Sequence, residues 1–287
     1  MTEINFTGVR RSDGTTPASL LADASPVRGQ FFGQSSFSKL SIVAENSVVK
    51  CDGSIPRNRL AAMAPMGCGY MTGAGTVLNV FNPSDEDSML ILGLGGVGFA
   101  ALMAAKAVGL RKIVAVDLVE EKLAVARTLG ATDIVNTTQV EPNCSLSQAI
   151  KLIVPNGVDF AIDTTGVTHV IEQCIKSLGH SGTLALVGVP KPGGTVAFDP
   201  LDLLLACKRV IGVVEADSDP AVVSLVLPFN ASETNEMLSK IIPRLVQMYQ
   251  EGNFPIENIS KIYPAAAINK AIADMSSKAV SSMHFHC

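Results

Sequence analysis

Four glycines and one carboxylate carry the spacing best suited to chemistry in this 287-residue chain. Gly93, Gly95, Gly96 and Gly98 stand in LILGLGGVGFAAL, where a glycine turn follows an apolar strand and opens an apolar helix. In that context the first glycine permits a tight turn and the second lets a pyrophosphate approach the backbone. The third lets helix and strand pack closely, and the helix N-terminus supplies N–H groups and positive potential. Asp117 follows Gly98 by 19 positions, at the end of the next predicted strand. A carboxylate there accepts hydrogen bonds from the free hydroxyls of an adenosine ribose and repels a 2′-phosphate. The two features together predict a site for NAD(H) in preference to NADP(H).

Other reactive groups are scattered. Six cysteines (Cys51, Cys68, Cys144, Cys174, Cys207, Cys287) occur singly with no CxxC pair, the pattern of free thiols in a reducing cytoplasm. His284, His286 and Cys287 form an HFHC ending whose residue types suit a metal, but a short tail usually frays, so an unanchored end is expected. His169 and His180 read as exposed residues around a helix of the nucleotide-binding part. Glu215 and Asp217 fall just after the sixth predicted strand. There burial could raise a carboxyl into the acid–base range, although solvated loop carboxylates are the plainer reading.

These groups need a scaffold, and the chain is rich enough in apolar residues (47%) to build one. A net charge of −4 offers no footprint for a nucleic-acid backbone, and the acidic, polar start lacks the apolar run of an export signal. The uncharged stretch from Ser88 to Ala105 is broken by its glycines into strand, turn and helix, so no membrane span is expected.

From residue 88 onward, short apolar strands alternate with helical periodicity. Strands are predicted at Met89–Leu92, Lys112–Val116, Asp133–Val135, Phe160–Asp163, Thr183–Val187 and Val210–Val214. Helices are predicted at Val97–Val108, Glu121–Leu129, Ser147–Ile153 and His169–Leu178. This is the element content of an α/β doubly wound parallel sheet, the Rossmann arrangement. Residues 29–51 read as strands of a small separate β-structure, and Ile241–Gln250 and Ala265–Met275 as two further helices.

The ordered set MGCGYMTGAGTVLNV, GLGGVG, VDLVEEKL, DTTG and LVGVP resembles the zinc-dependent medium-chain alcohol dehydrogenases. FFGQSSF followed by NSVVK is most similar to the aryl and benzyl alcohol dehydrogenase branch, and the likeness runs from about Asn5 to Met275. The resemblance implies a Rossmann domain over 71–245, a remnant of a β-rich, GroES-like catalytic domain over 1–70, and a segment returning to it over 246–287. By position it makes Cys68 a ligand of a catalytic zinc. It puts Thr72 near the nicotinamide, Val97 behind the nicotinamide ring, Lys122 near the adenosine ribose, and the Val187 backbone against the carboxamide.

The chain departs from that family in three places. The family's N-terminal third, which holds a zinc-ligating cysteine with its proton relay, a GHE segment and a four-cysteine lobe, has no counterpart here. Ser281 stands where a basic residue commonly helps to hold the pyrophosphate. Residues 220–239 are additional, and read as a surface loop or as the translation of an untrimmed intron.

The resemblance implies NAD-dependent interconversion of a primary, aromatic or allylic, alcohol and its aldehyde, zinc-assisted if the missing part exists, in a cytoplasmic homo-oligomer. The alternatives are a zinc-free enzyme (isomerase, cyclase or double-bond reductase) that uses Glu215 or Asp217, and a non-catalytic NAD(H)-binding protein.

Overall fold

The computed structural model describes residues 14–16, 18–27, 55–56, 59–217, 231–276 and 282–286. The chain separates into two compact units, Met1–Ile55 with Cys287, and Pro56–His286. In the first, strands β1 (Ala18–Ser19) and β2 (Pro26–Val27) pair antiparallel, and the Asp23 carboxylate accepts the Ser25 N–H at 2.9 Å. The strands expected over 29–51 lie outside the described residues.

The second unit opens with a short helix α1 (Leu60–Met63) and a 3₁₀ turn (Ala64–Gly67). Helix α2 (Gly69–Gly75) follows and widens into a π-type turn (Thr76–Phe81). The sheet strands are β3 (Ser88–Leu92), β4 (Lys112–Asp117), β5 (Asp133–Asn136), β6 (Val158–Asp163), β7 (Leu178–Leu186) and β8 (Arg209–Gly212). Between them run α3 (Gly96–Val108), α4 (Glu120–Leu129), α5 (Leu146–Ile153), α6 (Thr168–Ser177) and α7 (Pro200–Leu205).

All six strands are parallel in the order β5-β4-β3-β6-β7-β8. The order reverses between β3 and β6, so the loops after β3 and β6 diverge to opposite faces and leave a crevice at the strands' carboxyl ends. Strand β3 is buried along its whole length, which is why Met89-Leu90-Ile91-Leu92 reads as a continuous apolar run with no alternation. On one face Leu90, Val114 and Leu184 pack against Ile150, Ile171 and Ile175 of α5 and α6. The expected doubly wound α/β sheet is therefore the observed one.

The largest differences from expectation are at helix ends and in the C-terminal part. Leu178, expected to close a helix, instead takes extended backbone and begins β7, and β8 ends at Gly212 rather than at residue 214. Helix α8 spans Ala231–Gln250, so the end of the additional segment is helical, not loop; the run ASETNEMLSK has good helix formers and no glycine, and extends the amphipathic turns after it. Residues 218–230 lie outside the described residues. Strand β9 (Ser260–Pro264) and helix α9 (Ile268–Ser276) precede β10 (Ser282–His286), which pairs parallel to β9 from Ser282 through His286. The HFHC ending is thus not a loose tail up to His286, because alternating Ser-Met-His-Phe-His finds a strand edge to join. Ser281 and Cys287 are outside the described residues.

This C-terminal part is tied to the helices ahead of the sheet. Arg59 and Tyr249 both donate to one Glu257 oxygen, at 2.7 and 2.6 Å, and the Tyr70 and Ser260 hydroxyls are 2.7 Å apart. Among the described residues no helix is long and apolar enough to cross a membrane, and the Ser88–Ala105 stretch is β3, a turn and most of α3. Cys68, Cys144, Cys174 and Cys207 are free thiols.

Candidate cofactor site

The glycine turn needs glycine both for its backbone conformation and for close contact. Gly93 sits at φ +89°, and a Cβ there would fall 2.6 Å from Thr164 Oγ1. A Cβ on Gly98 would meet the Gly93 carbonyl oxygen itself, so α3 can lie this close to β3 only without a side chain at that position. Gly95 differs: no protein atom lies within 4 Å of where its Cβ would stand.

Gly95 is also the N-cap of α3, extended at φ −83° and ψ −172°, and no side chain caps the helix. The first-turn N–H groups that ordinarily need a cap therefore open onto the space beside Gly95. An uncapped helix N-terminus beside a bare glycine is a ready anion site, and a pyrophosphate fits it.

Asp117 closes β4. Its Oδ1 accepts the N–H groups of Leu118 (2.8 Å) and Val119 (2.9 Å), and its Oδ2 accepts the N–H of Leu94 (2.7 Å). A carboxylate has about four acceptor positions. An acceptor on Oδ2 is thus left to meet a ribose hydroxyl. Lys122, half-buried, is on the first turn of α4, and its N–H donates to Val119 O at 3.1 Å.

The far side of the crevice is stitched by a second turn. Asp163, fully buried at the end of β6, accepts Thr165 N (3.1 Å) and Thr165 Oγ1 (2.6 Å) on one oxygen and Gly166 N (3.0 Å) on the other. Thr164 Oγ1 donates to the carbonyls of Leu92 (2.9 Å) and Gly93 (3.0 Å), which locks this turn to the glycine turn. The N–H groups of Val187 and Gly188 both donate to Asp163 O, at 3.0 and 2.9 Å. A Cβ on Gly188 would fall 2.6 Å from the Thr164 carbonyl carbon. The ends of β3, β6 and β7 therefore form one connected floor, and Val187 lies in it.

Helix α2 forms the wall beside α3. A Cβ on Gly73 would strike the Val97 carbonyl oxygen, so α2 presses directly on the first turn of α3, and a Cβ on Gly69 would stand 3.8 Å from the Val97 side chain. Thr72 is buried there, with its hydroxyl donating to Cys68 O at 2.8 Å. Thr72 and Val97 are thus on abutting helices, while Cys68 stands at the start of α2.

Glu215 and Ala216 take left-handed backbone, at φ +49° and +65°, and the Ala216 methyl occupies the space a side chain on Gly75 would need. That turn brings Glu215 toward Cys68. Partial burial raises the Cys68 thiol above its ordinary range, and the negative charge of Glu215 raises it further. In metal-free protein, Glu215→Gln should therefore speed iodoacetamide alkylation of Cys68 at pH 8, read by peptide mass spectrometry. Asp217 closes the same turn.

The same region tests the fit of a catalytic zinc. Among the described residues no three His, Cys, Asp or Glu side chains converge. Cys68 beside one carboxylate falls short of the three protein ligands such a zinc takes, so the described residues do not by themselves build that centre.

The order of strands and the glycine turn between β3 and α3 define an α/β protein of the Rossmann type. The zinc-binding dehydrogenase family model matches residues 96–230. A geraniol dehydrogenase from Castellaniella defragrans is 32% identical over 275 residues, covering 95% of this chain and 66% of that protein. An alcohol dehydrogenase zinc-binding domain protein from Burkholderia ambifaria superposes with a TM-score of 0.83 at 35% identity, over 99% of this chain and 70% of the other. Benzyl alcohol dehydrogenase from Acinetobacter calcoaceticus gives 0.81 and 34% over the same shares. The chain belongs to the medium-chain, zinc-binding alcohol dehydrogenase family. It spans 66% of the length of the geraniol dehydrogenase it matches.

Sequence reasoning singled out the glycine turn and Asp117 by motif and spacing, and Thr72, Val97, Lys122 and Val187 by family position. It missed Asp163, Thr164 and Thr165 as the floor of the crevice, although DTTG was visible as a motif. It also missed Gly73 and Gly75, whose only signal was glycine inside an otherwise helical run.

Proposed function

We propose that the protein binds NAD(H) in preference to NADP(H) and serves the interconversion of a primary, aromatic or allylic, alcohol and its aldehyde. The observation that carries the cofactor assignment is the uncapped N-terminus of α3 opening beside Gly95, with the Asp117 carboxylate 2.7 Å from Leu94 N in the same turn. Gly93, Gly95, Gly96 and Gly98 would seat the pyrophosphate, Asp117 and Lys122 the adenosine ribose, and Thr72, Val97 and the Val187 backbone the nicotinamide. Bound NAD would accept a hydride from the alcohol carbon. The chain's own residues orient the ring: α2 fixes Val97 through Gly73, and the buried turn at Asp163 fixes the backbone at Val187.

The substrate class rests on the geraniol and benzyl alcohol dehydrogenases this chain resembles. Zinc assistance belongs to the proposal only with further ligands beside Cys68. The proposed organisation is a nucleotide domain over 71–245 flanked by parts of a catalytic domain over 1–70 and 246–287, in a cytoplasmic homo-oligomer. Among the described residues β8 pairs only with β7, and Val210 on it and Leu201, Leu204 and Leu205 on the helix ahead of it are exposed, which suits association of copies.

A zinc-free chemistry has one observation in its favour, the half-buried Glu215 held beside Cys68 by left-handed backbone. Titration of the purified chain with NADH and NADPH, combined with metal analysis and a benzyl alcohol and geraniol assay, tests both readings. NADH binding at least about tenfold tighter than NADPH supports the cofactor assignment, and equal affinities overturn it. Alcohol oxidation that rises with zinc occupancy supports the dehydrogenase reading, whereas NADH binding without it favours the zinc-free one.

A further inference from the structure

The carboxylate assigned to the adenosine ribose is already engaged by the protein. Strand β4 pairs with β3 through Val116, and Gly93 N adds one more rung by donating to Val116 O at 2.9 Å. Beyond that point the two chains part. The Asp117 backbone carbonyl points to β5 in the ordinary alternation of the strand, accepting Thr137 N at 3.0 Å, so it offers nothing to Leu94. The side chain supplies the next rung instead, with Oδ2 accepting Leu94 N at 2.7 Å. Oδ1 meanwhile takes the N–H groups of Leu118 and Val119, which fixes the carboxylate's own orientation.

Leu94 is the residue between Gly93 and Gly95, and its side chain is fully buried. Its N–H belongs to the peptide that leaves Gly93 at φ +89°, the unusual step of the turn. Thr164 holds that residue's carbonyl from one side, and Asp117 holds the next N–H from the other.

We infer that Asp117 is a positioning residue for the glycine turn, fixing the Leu94 peptide and with it the N-terminus of α3, in addition to reading the ribose. The inference rests on the NAD(H) reading for its binding consequence but not for its structural one. A residue that only read the ribose would, once its charge was removed, bind a 2′-phosphate more readily. A residue that also shapes the pyrophosphate cradle weakens both dinucleotides when it is replaced, because both present the same pyrophosphate.

Asp117→Asn separates the two roles. With its oxygen kept on Leu118 and Val119, its NH₂ group faces the Leu94 N–H, donor against donor; turned over, it fails at Leu118 and Val119 instead. The first readout is amide hydrogen exchange in the ligand-free variant. The Leu94–Gly96 amides should exchange at least about tenfold faster than in the parent, while those of β6 and β7 keep their protection and report that the sheet is folded. The second is binding, where the dissociation constants for NADH and for NADPH should both rise, each by roughly tenfold.

Unchanged exchange at Leu94–Gly96, with NADPH binding tighter than in the parent, would overturn the inference and leave Asp117 as a ribose reader alone. Failure of the parent to bind either dinucleotide would sink the proposed cofactor and not this inference, which the exchange measurement in the ligand-free chain decides by itself.

Discussion

Replacing Gly98 with alanine is expected to abolish useful NADH affinity and to destabilise the nucleotide-binding unit. The added Cβ would lie on the Gly93 carbonyl oxygen, and neither partner is a side chain that can swing aside. Either α3 lifts from β3 or the turn at Gly93 opens. The first route separates Phe99, Leu102 and Met103 of α3, all essentially fully buried, from the sheet. The second breaks the hydrogen bonds from Thr164 to the Leu92 and Gly93 carbonyls. Overpacking of this kind costs about 1–3 kcal/mol even where side chains can adjust, and a backbone collision sits at the upper end. Titration by nucleotide fluorescence should show a dissociation constant raised by more than about tenfold, with a lowered melting temperature. Gly95→Ala is the control, because its Cβ meets no protein atom within 4 Å. It should leave the melting temperature within a degree or two and still weaken NADH, because the methyl would take the space proposed for the pyrophosphate. A Gly95→Ala chain that binds NADH normally would place the dinucleotide elsewhere.

Asp163→Ala should be the most destabilising single substitution in the crevice floor. The carboxylate is buried, and its removal leaves Thr165 N, Thr165 Oγ1 and Gly166 N without their acceptor. The buried Gly166 N–H costs about 1–3 kcal/mol when stranded and the two half-buried Thr165 donors less, so a total of roughly 3–5 kcal/mol is expected after local relaxation. For a unit of this size that corresponds to a fall in melting temperature on the order of 10 °C. Asp163→Asn should fall between parent and alanine, because its amide oxygen can serve one side of the turn while its NH₂ group opposes a donor on the other. The effect should reach the Val187–Gly188 backbone, whose N–H groups depend on the Asp163 carbonyl. NADH affinity should therefore drop in parallel with stability. An alanine variant as stable as the parent would show that the turn is held by its backbone alone.

Both predictions concern residues that were read with unequal success. The GxGGxG run was legible because its neighbours give it context: an apolar strand before, an apolar helix after, and an aspartate at the next strand's end. Asp163 was hidden because an aspartate at a strand end reads equally well as a solvated loop residue. Only the folded chain shows that it is buried, with all three donors coming from its own turn. Gly73 and Gly75 were hidden for a related reason. A glycine inside a helix signals either weakness or close approach, and which of these applies depends on whether Val97 or Ala216 arrives from far along the chain.

The sequence by itself determined the sheet. The central parallel strands, buried on both faces, need apolar runs, and helices that cover them need one apolar stripe; both patterns are local and survive without knowledge of the partner. It determined the proposed pyrophosphate cradle for the same reason, since turn, helix start and carboxylate lie within one strand–helix–strand unit. The tertiary structure decided what depends on meeting across the chain. It set the lock between the turns at Gly93 and Thr164, the seat of α2 on α3, and the approach of Glu215 to Cys68. It also converted an ending expected to fray into the strand beside Ser260–Pro264. Those contacts join residues tens of positions or more apart, and distance along the chain carries no trace of them.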